Sequence, residues 1–453
     1  MRCLLLAATI VISVLLPGAT AVDAQDDAAG PLQVGFASAD ITPEGPVWMR
    51  GFGARDRPSD GVERNIIAQC IVFDNDHTRV AIVSLDICAL NYRQLQRFRA
   101  SAAASGIPEQ HLMVNWTHNH FGPHLGSVEA HARNEDYYEL FTERTAALFE
   151  KAIADLQPAF LEYTVGSCTM GVNRRQLDAE GVAGFRPEPR KQIDPDVPIL
   201  RVRGADGGTR AVIFGYACHP TTISGDLLYK IGTDFPGYAR DWVEAAYPGA
   251  TAIFLQGCGG DIKPRAVRPR EGDDYSRFGA VLLDERGLKA AMGYELGRAI
   301  VAALAVPPEM LPADRPRDIE EALETPVVLG GMVELIRLPS KDDPEQLWET
   351  PWHVGTWRIG DLYFFGSQGE VLSAIGLRIK REMAGTRVWT GGYTHWGGGY
   401  FPDAASYPEG GYEVRNTKFA PSAEDILVGT AREQVQRLQT RPVHPEPVEI
   451  CCP

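Results

Sequence analysis

Seven short apolar runs, most of them continuous rather than alternating, constrain this chain more than any other feature. They span Leu32–Ala39, Arg79–Ile87, His111–Trp116, Ile199–Val202, Ala211–Cys218, Ala250–Leu255 and Leu362–Phe365. Unbroken apolar runs of this length fit strands covered on both faces. Helix-like stretches lie between them: an amphipathic one over Asp136–Leu156, an Ala-rich one over Lys289–Leu304, and a last one over Ala423–Leu438 with Ser422 as its candidate N-cap. The Pro- and acid-rich stretch Pro307–Pro326 predicts an exposed connection. The alternation predicts an α/β chain of layered mixed β-sheets flanked by helices, with one large catalytic domain over 32–440.

Four of the runs break off into polar motifs. His111–Trp116 gives way to Thr117-His118-Asn119-His120-Phe121-Gly122-Pro123, and Ala211–Cys218 to His219-Pro220-Thr221. Ala250–Leu255 leads into Gly257-Cys258-Gly259-Gly260-Asp261-Ile262-Lys263-Pro264, and Leu362–Phe365 into Ser367-Gln368-Gly369-Glu370. Open α/β sheets place their sites beyond the carboxyl ends of strands, so one shared cleft is expected. His118 and His120 are spaced i, i+2; on extended backbone their imidazoles would point the same way. His219 alone is as readily a structural histidine as a ligand, and Glu370 alone suits the start of a helix over Val371–Lys380. Together, two or three histidines and a carboxylate match what zinc accepts. The Gly257–Gly260 loop permits close backbone approach but has neither the Walker nor the dinucleotide spacing. An aromatic–glycine run from His395 and Trp396 through Tyr400, Tyr407 and Tyr412 suits an irregular loop or the rim of a substrate cleft.

Composition excludes some classes. A net charge of −15 with no basic stripe argues against nucleic-acid binding. Arg2, the apolar run Cys3–Leu16, the Pro17-Gly18 break and the small residues near Val22-Asp23-Ala24 predict a secretory signal over 1–24, with Ala19-Thr20-Ala21 as a second cleavage site. A polar linker, 25–31, follows, and a Pro-rich tail occupies 441–453. The protein is expected to be secreted or periplasmic, with no transmembrane segment and peripheral membrane contact left open. Of eight cysteines, seven remain once Cys3 leaves with the signal, an odd number that leaves at least one unpaired. Cys88, Cys218 and Cys258 suit small buried hydrophobes, and the Cys451-Cys452 pair has no readable purpose. Asn115-Trp116-Thr117 fits a glycosylation pattern but falls in an expected buried strand.

In order along the chain, these residues resemble the neutral (non-lysosomal) ceramidase family. The motifs are Ala39-Asp40-Ile41-Thr42-Pro43 with Gly51-Phe52, Thr117–Pro123, Asn173-Arg174, His219-Pro220-Thr221, Gly260–Pro264, Gly369-Glu370 and the tyrosine-rich stretch from Tyr400 to Glu413. The resemblance implies a Zn2+ ion held by His118, His219, Glu370 and Tyr400, with His124 the alternative fourth ligand. It places His120, Arg174 and Tyr412 at the scissile amide, and implies hydrolysis of an N-acyl bond in a lipid or small-molecule substrate. Arg174 suits an oxyanion or a polar head, and His120 a proton shuttle to the leaving amine.

Two departures stand out. Lys263 occupies the position of the family's serine in its G-D-x-S-P element; an ammonium donates but cannot accept or attack while charged. It either binds an anionic part of a substrate, beside Arg174, Arg175 and Arg265, or pairs with Asp261 as an ordinary solvated lysine. Longer family members also carry a C-terminal β-sandwich, which this chain is expected to lack. Other readings therefore stay open: a zinc hydrolase of an ester, lactone or glycoside on an acidic substrate, or a non-catalytic lipid- or glycan-binding protein with closed metal coordination.

Overall fold

A computed structural model describes residues 31–127, 132–222, 225–265, 284–306 and 327–440. The expected signal, the connection 307–326 and the tail with Cys451-Cys452 lie outside the described residues. An eight-stranded sheet is built from β1 (Gln33–Asp40), β2 (Ile67–Asp74), β3 (Arg79–Leu85), β4 (Leu112–Trp116), β5 (Gln157–Ser167), β6 (Asp196–Gly204), β7 (Thr209–Tyr216) and β8 (Thr251–Gln256). Its order is β8-β7-β6-β5-β1-β2-β3-β4. A second sheet runs β9 (Leu329–Ile336), β10 (Trp352–Ile359), β11 (Leu362–Ser367) and β12 (Arg387–Gly391). Both are mixed: β3/β4, β7/β8 and β11/β12 are parallel, and the other neighbours antiparallel.

Each parallel pair is closed by a crossover helix, as parallel strands require. These are α1 (Tyr92–Ala104), α4 (Asp234–Ala246) and α6 (Ser373–Glu382). Asn91 caps α1 by accepting the backbone N–H of Gln94. In α4, Pro236 and Gly237 fall in the first turn, where a missing N–H is harmless. The stretch expected as one helix over 136–156 is two, α2 (Glu135–Thr145) and α3 (Leu148–Ala154). Thr142 and Thr145 donate their hydroxyls back to Tyr138 O and Phe141 O at 2.7 Å each, and Ala146 N turns to Glu143 O, tightening the end of α2. The Ala-rich helix α5 covers Glu285–Ala305, capped by Asp284, and α7 covers Ala423–Thr440.

The strands fill with aliphatic and aromatic side chains: Val34, Phe73, Ile82, Leu200, Ile213, Ile253, Phe364 and Trp389 belong to one buried cluster. Polar side chains tie neighbouring strands beneath the site. Asn115, fully buried, accepts the Gln256 N–H at 2.9 Å and donates to Gly392 O at 3.1 Å. Its burial agrees with the strand placement and leaves the glycosylation pattern no access. Ser84 donates to Phe254 O at 2.7 Å. No helix among the described residues is long and apolar enough to cross a membrane. Cys70, Cys88, Cys168, Cys218 and Cys258 are buried and form no disulfide among the described residues.

Candidate metal centre

The carboxyl ends of β4, β7, β8 and β11 meet, so the four polar motifs share one place. Glycines allow the approach: a Cβ on Gly259 would come to 2.6 Å from Cys218 N, and one on Gly260 to 2.6 Å from Glu370 O. The Gly-rich loop therefore packs against backbone. The His-x-His turn is held by Asn119, which is fully buried and donates to Gly232 O at 2.6 Å. Arg55 donates to His120 O at 2.8 Å. The extended geometry expected for His118–His120 is not what forms. His118 has φ +59, in the left-handed region, so the chain turns there. The two imidazoles still converge, with Nε2 atoms 3.0 Å apart, because the turn folds them together.

Backbone carbonyls set the histidine tautomers. His118 Nδ1 lies 2.8 Å from Cys88 O, and His219 Nδ1 lies 2.8 Å from Gly259 O and 3.1 Å from Ile262 O. A carbonyl only accepts, so each Nδ1 carries the hydrogen and each neutral ring turns an Nε2 lone pair inward. Both lone pairs face Glu370 Oε2, at 3.3 Å and 3.0 Å. Three acceptors aimed at one another repel unless positive charge sits among them. Burial disfavours a proton on His118, but Glu370 and Cys88 outweigh it and push that ring up to about 10. Burial with Arg174 behind it pushes His219 down to about 4. Burial opposes the charge on Glu370, yet His118 holds its carboxyl well below the usual range.

A divalent cation would satisfy all three groups at once. Their donor atoms lie within 4.8 Å of one another. Tetrahedral donors on one zinc stand roughly 3.3–3.6 Å apart; the 3.3 Å spacing meets that range and the 3.0 Å spacing falls just short of it, so a small outward shift would seat the ion. The set, two imidazoles and a carboxylate with their outer nitrogens held by carbonyls, is one that zinc accepts.

The remaining expected residues distribute around this centre. Tyr400 pairs with Glu370 across two short parallel strands, and its hydroxyl bonds the Glu370 carboxylate and receives Arg174 Nη2 at 3.0 Å. Arg174 is buried and also donates to Glu413 at 2.9 Å. Tyr412 is half exposed, with its ring 5.4 Å from that of Tyr400. His120 is half-buried behind Phe52, whose ring centre is 5.1 Å away, and its Nδ1 has no hydrogen-bond partner among the described residues. His124 stands apart: its Nδ1 accepts the Gly126 N–H at 3.1 Å, and it joins no metal-type group among the described residues. Of the two candidates for a fourth ligand, Tyr400 is the one at the centre.

Lys263 is half-buried and makes no hydrogen bond or ion pair with the described residues. The pairing with Asp261 does not form, because that carboxylate is engaged elsewhere. It accepts Asn173 Nδ2 at 2.6 Å and the Ser373 N–H at 2.8 Å, bracing the start of α6 just after Glu370. Burial and the charge of Arg174 lower the Lys263 pKa. Arg175 and Arg265 are committed to Glu413 and Glu295, so of the three arginines expected beside Lys263 only Arg174 acts on it.

Sequence reasoning missed Tyr393 and Glu413. Tyr393 is fully buried, its ring is 4.8 Å from that of His118, and its hydroxyl has no partner among the described residues. It sits at φ +57, a conformation that no local motif announces. Glu413 grips Arg174 and Arg175 together. Its neighbour Tyr412 stands out as an aromatic, and an isolated acid offers no comparable signal. His395, expected at a cleft rim, is buried instead, whereas Trp396 does line a cavity.

No family model matches the chain. A neutral ceramidase of Mycobacterium tuberculosis (strain ATCC 25618 / H37Rv) is 24% identical over 91% of this chain and 78% of its own length. The crystal structure of neutral ceramidase from Pseudomonas aeruginosa superposes with a TM-score of 0.71 at 19% identity, covering 92% of this chain and 76% of that one. A ceramidase complexed with C2 gives 0.69 at 19% identity, covering 93% and 78%. The chain has the neutral ceramidase fold, a layered α/β architecture, and its sequence resembles that family over most of its length.

Proposed function

We propose that this chain, built on the neutral ceramidase fold, is an exported zinc-dependent amidohydrolase that cleaves an N-acyl bond, as in ceramide. The observation that carries the reading is the convergence of His118 Nε2, His219 Nε2 and Glu370 Oε2, three acceptors with tautomers fixed from behind. Zinc there would lower the pKa of water and polarise the amide carbonyl. The mycobacterial relative is a ceramidase, which supports an amide as the bond cut. The leader residues Arg2 to Ala24 support export.

The chain's own groups divide the remaining work. His118, His219, Glu370 and Tyr400 would hold the ion. His120 sets its Nε2 at the centre, 3.0 Å from His118 Nε2, and takes and returns the proton that must reach the leaving amine. Arg174 stays charged because Tyr400 and Glu413 outweigh its burial, and Glu413 fixes its direction. It stabilises negative charge growing on the carbonyl oxygen. Tyr412, half exposed over Tyr400, closes the open side against substrate. Lys263, without a protein partner, donates to an anionic part of the substrate and does not attack. That assignment also favours the second reading, a zinc hydrolase of another bond on an acidic substrate.

The test is metal analysis of the purified protein with a screen of N-acyl substrates, ceramides of short and long chains included. One zinc per chain, with activity lost to a chelator and restored by zinc, is expected. Protein lacking stoichiometric zinc but active on the same substrates would overturn the metal reading. Zinc-loaded protein that cut esters but no amide would move the assignment to the second reading.

A further inference from the structure

Beside the metal centre an open cavity of about 570 Å³ is lined by Trp348, Trp352, Trp396, Arg50 and Lys418. Tyr400 lines it too, so cavity and centre share a wall. Arg50 precedes Gly51, which packs so closely on His120 that a Cβ there would meet the ring at 2.3 Å. The volume falls within the range of small-molecule sites, and the indoles give it flat apolar walls. Two of the three are anchored through their N–H groups, Trp352 to Ser367 at 2.9 Å and Trp396 to His353 at 3.2 Å, which leaves ring surface for an occupant.

The charge of this wall runs against that of the chain. Acidic residues outnumber basic ones by 59 to 44 overall, yet among the described residues no Asp or Glu lines the cavity. The Arg50 guanidinium makes no ion pair or hydrogen bond with the described residues. Arg55, Arg99 and Arg175 nearby in the fold are all engaged. Glycines clear its path: a Cβ on Gly126 would strike Arg50 Nη1 at 1.7 Å. Lys418 is exposed, with its ammonium 5.5 Å from the centre of the Trp348 ring. A fork-shaped cation and an ammonium above an aromatic floor suit a compact oxyanion on an apolar body.

We propose that this cavity binds the amine half of an N-acylated amino acid, with Arg50 and Lys418 on its carboxylate and the indoles against its side chain. The inference rests on the amide-hydrolase reading. Water adds to the acyl carbon, the C–N bond breaks, the fatty acid leaves with the new oxygen, and the amino nitrogen takes the proton. The hydrocarbon acyl half has no use for a cationic wall, which assigns the cavity to the amine half.

The test compares N-dodecanoyl-phenylalanine with its neutral carboxamide, equal in size. The acid should be preferred by about tenfold in kcat/KM, mostly through KM, as a charge-assisted pair predicts. The preference should fall toward one in Arg50→Gln/Lys418→Gln, and partway in Lys418→Gln, whose exposed position spares the fold. Equal use of acid and carboxamide by the native protein, or an undiminished preference in the double variant, would overturn the inference. Should neither compound be hydrolysed, the amide reading stands or falls on the ceramide screen, and calorimetry decides the cavity. Tighter binding of the acid, lost in the double variant, sustains it; equal binding of both compounds rejects it.

Discussion

Two pairs of buried imidazoles stand out among the described residues, and they are held in different ways. His118 and His219 have ring centres 4.7 Å apart, and His353 and His395 lie 5.4 Å apart. In the first pair carbonyls take the Nδ1 hydrogens and both Nε2 lone pairs meet Glu370. In the second, His353 Nδ1 lies 3.2 Å from Trp396 Nε1, which can only donate, and 3.2 Å from Gln368 Oε1, which can only accept. One neighbour asks that nitrogen to accept and the other to donate, so its tautomer is not fixed as at the first pair, and the Nε2 atoms of His353 and His395 have no hydrogen-bond partner among the described residues. No carboxylate joins this pair in a metal-type group among the described residues. Histidine density and burial do not distinguish the two places. The surroundings do: at the first place carbonyls alone hold the outer nitrogens and a carboxylate meets the inner ones, and the second place has neither feature among the described residues.

The comparison predicts its largest effect at the ligands. His219→Ala should lower zinc content to near zero and activity by about a thousandfold or more, the size of several kcal/mol of lost charge stabilisation. His395→Asn, which tolerates the left-handed backbone at φ +64, should keep one zinc per chain and most of the activity. Metal analysis beside a rate assay reads both. Zinc retained in His219→Ala, or lost in His395→Asn, would break the contrast.

The second effect is on stability. Glu413 is buried and shared by Arg174 and Arg175, at 2.9 and 2.6 Å. Glu413→Gln would leave two buried guanidiniums facing an amide, and breaking such a pair costs about 3–5 kcal/mol. A urea unfolding midpoint should fall accordingly, and by much less in His395→Asn. An unchanged midpoint in Glu413→Gln would mean that Arg174 finds its support elsewhere, Tyr400 being the remaining partner.

What the sequence discloses follows from what each feature depends on. The strands that feed the centre are visible because burial on both faces makes them continuously apolar: β3, β4, β7, β8 and β11 all fall on runs that read as strands. β5 (Gln157–Ser167) does not read as a strand, because Glu162 and Thr164 interrupt its apolar run. α4 is hidden because Pro236-Gly237 suggests a break, although the first turn accepts both. At the centre, His118, His219 and Glu370 are legible as donors at strand ends. The left-handed turn at His118, and Tyr393 beside it, are not, since both depend on how the segment after β12 crosses β4. There Trp116 N donates to Tyr393 O at 3.0 Å and His395 N to Val114 O at 2.8 Å. That crossing also buries His395, which local pattern places at a rim.

The smallest predicted effect isolates the second pair. Burial, with Arg99 nearby, pushes His353 down to about 4, and burial with His353 holds His395 well below its usual value. Gln368, whose Oε1 lies 3.2 Å from His353 Nδ1, offsets part of the effect of burial. In the unfolded chain both rings titrate near 6.5. Between these values the unfolded state binds more protons, so stability rises with pH. It is full above about pH 6.5, declines as pH falls toward 4, and His353 changes it no further once both states are protonated. A tenfold difference in proton affinity between the two states is worth about 1.4 kcal/mol, so His353 contributes about 3 kcal/mol across this window. His353→Gln keeps an acceptor for Trp396 while removing the titration. Unfolding free energies of the two proteins should differ by a pH-dependent amount confined to pH 4–6.5, with the native protein losing more on acidification. Parallel curves would mean that His353 is already solvated or protonated in the folded state, and the contrast between a buried, neutral second pair and a charged first centre would fall with it.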